Sequence, residues 1–70
     1  MANQQHLALL KQGKDAWNTW RENNPTVQPD LSFAIIRFVN LSQANLSQAN
    51  LSNTDLWQVN LSRAVRREVT

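Results

Sequence analysis

From Pro29 onward the chain divides without a gap into units of five residues: PDLSF, AIIRF, VNLSQ, ANLSQ, ANLSN, TDLWQ, VNLSR and AVRRE. The third position of the unit reads Leu31, Ile36, Leu41, Leu46, Leu51, Leu56 and Leu61, then breaks at Arg66. The first position is small or β-branched, running from Pro29 and Ala34 to Val59 and Ala64. The second is Asp or Asn in six units of eight, and the fourth is Ser in five. Neither simple period explains this pattern, because a helix repeats its apolar residues about every 3.6 positions and a strand about every 2. A five-residue period with inward first and third positions fits a chain that runs straight briefly and then turns a corner. Asn or Asp before the leucine suits the corner, since these side chains bond to nearby backbone and tolerate turn dihedrals. Stacked turns of such a chain make a solenoid, in which each repeat buries its apolar pair only against its neighbours.

With A(D/N)LXX as the unit, the pattern resembles the pentapeptide-repeat family, most closely in Ala44-Asn45-Leu46-Ser47-Gln48 and Ala49-Asn50-Leu51-Ser52-Asn53. The resemblance implies a mainly β chain: a right-handed, four-sided parallel β-helix with four units per coil, hence two coils. At a strand separation of about 4.8 Å such a stack is about 10 Å tall. The leader WNTWRENNP, followed by PDLS, resembles that of small cyanobacterial members of the family. The expected organisation is a capping helix over residues 1–24, a linker over 25–28 and the β-helix over 29–70.

Stacking at 20 residues places Leu31 on Leu51, Ile36 on Leu56 and Leu41 on Leu61 inside, and Asn40 on Asn60 outside. It also sets Arg37 under Trp57, where a guanidinium stacks on an indole face for about 0.5–1 kcal/mol. Leu46 meets Arg66, so the solenoid either ends there with Arg66 turned to water, or presents Arg63, Arg66 and Arg67 to a partner. Phe33, Ile35 and Phe38 occupy outward positions that are polar in later units; they either receive the N-terminal helix or linker, or form a dimer or partner patch.

Residues 4 to 22 carry an apolar stripe of Leu9, Leu10, Gly13, Ala16, Trp17 and Trp20, with Lys11, Asp15, Asn18 and Glu22 opposite. Asn3 suits the N-cap, and Asn23-Asn24-Pro25 the stop. Terminal repeats of a solenoid need covering, so Leu10, Gly13, Trp17 and Trp20 are the expected cap contacts. Gly13 either brings the helix close to its support or divides it. A straight helix of this length spans about 28 Å, more than one side of a coil, which would leave part of the stripe for a second molecule.

The 70 residues include no cysteine and one histidine, which excludes disulfides and thiolate or His-rich metal sites. Asp15, Glu22, Asp30, Asp55 and Glu68 are scattered, no serine has a base beside it, and no glycine-rich loop exists to cradle phosphate. No catalytic residue, metal or cofactor is expected, and His6 reads as solvated. The longest apolar run, Phe33 to Ile36, is far shorter than a membrane span, and no signal segment opens the chain, so the expected compartment is the cytoplasm. Asn-Leu-Ser recurs four times and mimics a glycosylation acceptor, but the repeat generates it. The net charge of +2 and three clustered arginines are too little for tight phosphate-backbone binding. Some family members mimic DNA and bind topoisomerases; that role needs an acidic face this chain lacks. The expectation is a non-catalytic protein-interaction or scaffold module with an unidentified protein partner. A self-associating unit such as a homodimer is the first alternative, and a nucleic-acid or topoisomerase binder the second. The candidate contact residues are Phe33, Arg37, Phe38, Trp57, Arg63, Arg66 and Arg67.

Overall fold

The structure, a computed structural model, describes residues 1–70. In the repeat half the chain lies on itself at a 20-residue register. Four parallel bridges pair Asp30 with Asn50, Ile35 with Asp55, Asn40 with Asn60 and Asn45 with Val65, and these define the first to fourth faces of a β-helix-type solenoid. Each face is held by bonds of one kind: Leu31 N–H donates to Asn50 O, and Asn50 N–H to Pro29 O. Residues 29–48 form the first layer and 49–68 the second. The β content is restricted, because the pairings are single bridges rather than extended strands. A mainly β chain is thus realised only in this sense.

The corner is built from two positions of the unit. At the second, every Asp or Asn folds back to accept the backbone N–H two residues on, as in Ser42 to Asn40 at 3.0 Å and Ser62 to Asn60 at 2.9 Å. Asn40 and Asn60 therefore each spend Oδ1 on their own corner. At the fifth, all eight residues from Phe33 to Glu68 are left-handed, with φ between 56° and 64°. The N–H of the next residue closes the turn, as Ala34 does to Leu31 O at 3.2 Å, the geometry of a turn with a left-handed third residue. A non-glycine residue pays about 1–2 kcal/mol for that conformation. It is offset by the interlayer bonds the corner aligns, such as Gln43 N–H to Ser62 O at 2.9 Å.

The N-terminal half differs from the single straight helix expected over residues 4–22. It forms α1, Gln4–Lys11, and α2, Lys14–Asn23, broken at Gly13. Gly13 has φ 105° and ψ 176°, a region essentially reserved for glycine, while a Cβ there would meet nothing within 4 Å. Gly13 is therefore a hinge in the backbone and makes no close cap contact. The bend folds both helices onto a body only 27 × 23 × 21 Å; of the apolar stripe Leu10 and Trp17 are buried, while Leu9, Gly13, Ala16 and Trp20 keep part of their surface exposed. Asn3 caps α1, its Oδ1 accepting from Gln5 and His6 N–H. Asn24 closes α2 by donating to Trp20 O at 2.9 Å, before Pro25.

One core joins the halves. Leu10 and Trp17 are buried with Leu31, Ile36, Leu41 and Leu46, and with Ala34, Ala44 and Ala49 of the first position. The counterparts in the second layer, Leu51, Leu56 and Leu61, are only partly buried. The helices thus close one end of the solenoid, and the other is open.

Candidate functional site

The structure divides the seven candidate contact residues into two groups. Phe33, Arg37, Phe38 and Trp57 gather on the second face and its corners, with Ile35 between them. Arg63, Arg66 and Arg67 lie at the end of the second layer towards the fourth face. In a four-faced layer these two regions look away from each other.

On the second face Phe33 is 60% exposed, Ile35 60%, Phe38 68% and Trp57 56%. With the helices and the linker in place these side chains keep more than half of their surface exposed, so neither covers most of Phe33 or Phe38. The Arg37–Trp57 stack is absent. Arg37 instead donates through Nε and Nη2 to Asp55 Oδ2, with the Nε contact at 3.0 Å. This bond and the Trp57 N–H together hold the Asp55 carboxyl below its ordinary value, the Arg37 contribution being the larger. Trp57 packs edge-on to Phe38, with centroids 5.3 Å apart and planes at 82°. The same face therefore carries an apolar surface and one exposed ion pair, which fixes orientation more than it stabilises.

The helices bind the outer edge of the first layer on two faces only. On the fourth, Trp17 Nε1–H donates to Asn45 O at 2.7 Å, and Asn45 N–H donates to Asn18 Oδ1 at 2.7 Å. Asn18 Nδ2 also donates to Gln43 O at 3.0 Å, and Arg21 to Ser47 O at 2.9 Å. On the first, Asn3 N–H donates to Asp30 O at 2.9 Å, and His6 Nδ1 accepts the Asp30 N–H at 3.0 Å. His6 is thus no solvated bystander: it is half-buried against Trp20, with ring centroids 4.8 Å apart. Burial pushes its pKa below the ordinary imidazole value, opposed by Asp30. Asp30 is in turn held low, chiefly by the Ser32 hydroxyl it accepts from at 2.8 Å.

Of the expected cap contacts, Leu10 and Trp17 are fully buried and Trp20 packs partly against the core. Asn18 and Arg21 were not among them. Asn18 falls on the polar side of the stripe, and nothing in the sequence distinguishes Arg21 from Lys11 or Lys14. The edge they satisfy belongs to backbone groups, which a pattern of side chains does not display.

No group of three or more His, Cys, Asp or Glu is placed to hold a metal ion, and no helix is long and apolar enough to cross a membrane. A family model described as pentapeptide repeats matches residues 30–65 in eight copies. No curated protein and no solved structure matches the chain. The matched span is just over half of the 70 residues and begins and ends within the layered half described above. The chain belongs to the pentapeptide-repeat family.

Proposed function

We propose that this chain is a non-catalytic interaction module, and that its docking surface is the second face of the solenoid. The observation that carries this reading is the exposure of Phe33, Ile35, Phe38 and Trp57 together on one rigid face. Isolated exposed apolar residues need no explanation, whereas four on one face beside an exposed ion pair, two of them in contact, favour a protein partner. The scaffold behind the surface is read as two coils of a right-handed, four-sided parallel β-helix, supported by the 20-residue register. Residues 1–24 act as its cap and 25–28 as the linker. The leader's likeness to small cyanobacterial members supports placing it with them, and a cytoplasmic protein–protein role suits that setting.

A triple substitution Phe33→Ser, Phe38→Ser, Trp57→Ser tests the reading. Affinity capture with the full chain should recover a partner that the triple variant, still folded by circular dichroism, fails to recover. Identical recovery by both proteins would contradict it. Self-association is the second reading, favoured by the partly exposed Leu51, Leu56 and Leu61 at the open end. Light scattering across a dilution series separates the two, since a dimer through that end would form whether or not the aromatics are present. The nucleic-acid and topoisomerase alternative gains no support: the layered half sets Asp30, Asp55 and Glu68 against Arg37, Arg63, Arg66 and Arg67, which makes no acidic face. A gel shift or supercoiling assay without effect at micromolar protein retires it.

A further inference from the structure

We infer that the shallow cleft on the fourth face, remote from the aromatic surface, is a binding site for a small oxyanion carrying two or more negative charges. The cleft has a volume of about 600 Å³ and is lined by Asn45, Ser47, Ala64, Val65, Arg66 and Arg67. It contains two guanidiniums and no carboxylate. The polar side-chain groups there that remain free are donors. Asn45 Oδ1 already accepts from Ser47 N–H at 3.1 Å and from Ser47 Oγ–H at 2.7 Å. Ser47 Oγ both makes that donation and accepts from Arg21 Nη2 at 3.1 Å. What is left is Asn45 Nδ2–H and the two arginine forks, none of which has an acceptor within the chain.

A second feature stands behind the same wall. Arg21 is only 6% exposed, yet its guanidinium meets neutral acceptors alone: Val27 O at 3.1 Å, Ser47 O and Ser47 Oγ. Its Nε is buried with no partner, and the chain's one ion pair is elsewhere, between Arg37 and Asp55. A buried cation without a counter-charge is destabilising in itself. Ser47 is the residue that Arg21 and the cleft share. Two of the chain's seven basic residues therefore line the cleft and a third, Arg21, bonds to its Ser47 from behind, while none of the five acidic residues lines it. Arginine forks match the oxygens of phosphate and carboxylate groups in pairs. A multivalent oxyanion seated between Arg66 and Arg67 would satisfy the free donors and offset the field of Arg21.

The test is an amide-resolved nuclear magnetic resonance titration of the full chain with sodium pyrophosphate and, separately, trisodium citrate. Sodium chloride at matched ionic strength controls for screening. Saturable shifts at Asn45, Ser47, Arg66 and Arg67 with either anion, absent with chloride, are expected. Pyrophosphate alone would identify the ligand as a phosphate compound, citrate alone as a polycarboxylate, and both would mark charge as the criterion. The exposed pair Arg66→Gln, Arg67→Gln should weaken binding about tenfold or more, as expected for losing charge-assisted bonds, without moving the melting temperature. Arg67→Gln alone serves if the pair does not fold. Absence of saturable shifts with both anions, or unaltered binding in the variants, overturns the inference.

Discussion

The two ends of the solenoid are built from the same repeat and end in opposite ways. In the first layer Leu31, Ile36, Leu41 and Leu46 are at most 1% exposed, and the outward edges of the first and fourth faces are bonded to α1 and α2. In the second layer Leu51, Leu56 and Leu61 are partly exposed, the fourth leucine is replaced by exposed Arg66, and Thr70 alone continues the pairing, accepting from Leu51 N–H. The repeat supplies the inward leucine, but burial of that leucine depends on what lies above it. A repeat unit therefore has no fixed stability of its own; each takes it from its neighbour or cap.

The largest expected contrast is between two tryptophans. Trp17→Ala removes a fully buried ring and orphans Asn45 O, at a cost of about 3–5 kcal/mol. Trp57→Ala loses an exposed aromatic pair worth about 1 kcal/mol. Urea denaturation measures both, and equal losses would erase the difference between the layers. The next contrast is between stacked leucines. Leu41→Ala should cost about 2–5 kcal/mol, and Leu61→Ala clearly less because part of its side chain already meets water. The reverse order would mean that the second layer is covered.

Asn18 sharpens the comparison at the edge itself. Its amide bonds both Asn45 N–H and Gln43 O, so Asn18→Ala should cost about 1–3 kcal/mol. The exposed neighbour Thr19→Ala should stay within about 0.5 kcal/mol. Melting curves of the two variants decide it, and indistinguishable curves would remove the edge bonds from the explanation. The smallest effect is a pH dependence. His6 is shifted down in the folded chain, so the unfolded chain holds the extra proton more readily. Its contribution is complete above the ordinary imidazole value of about 6.5 and declines as pH falls below it. Asp30, also shifted down, loses its contribution only below the ordinary carboxylate value of about 3.9. His6→Ala should therefore flatten the stability profile in the upper window and leave the acid limb in place. An unchanged upper window would assign the dependence to another group.

Much of this architecture was legible: the five-residue period marks both inward positions, and the resemblance to the pentapeptide-repeat family, which implies four units per coil, supplies the 20-residue stacking partners. The corner was half legible. Asp and Asn at the second position advertise the side-chain turn they form, but the left-handed residue sits at the fifth, where Phe33, Gln43, Arg63 and Glu68 carry no such signature. There the alignment of interlayer bonds overrides local preference. Gly13 marked a change in the helix without saying which, and its backbone angles, not space for close approach, decide the matter. Among surface residues, the exposed aromatics follow from outward positions in the repeat. The Arg37–Asp55 pair does not, because stacking puts Arg37 beside Trp57 and the long side chain reaches a neighbour two residues back. The buried state of Arg21 and the edge bond of His6 depend on how the bent helices dock, and no period in the sequence encodes that.

Amide hydrogen exchange addresses the difference between the ends most directly. The N–H groups of Ile36, Leu41 and Leu46 donate to Asp55 O, Asn60 O and Val65 O at 2.7, 2.8 and 2.9 Å, whereas Leu56, Leu61 and Arg66, twenty residues on, donate to nothing. The first three should exchange slowly and the second three near the rate of an unprotected chain. Equal protection of Leu56 and Leu61 with Ile36 and Leu41 would contradict an open end and show that something covers it.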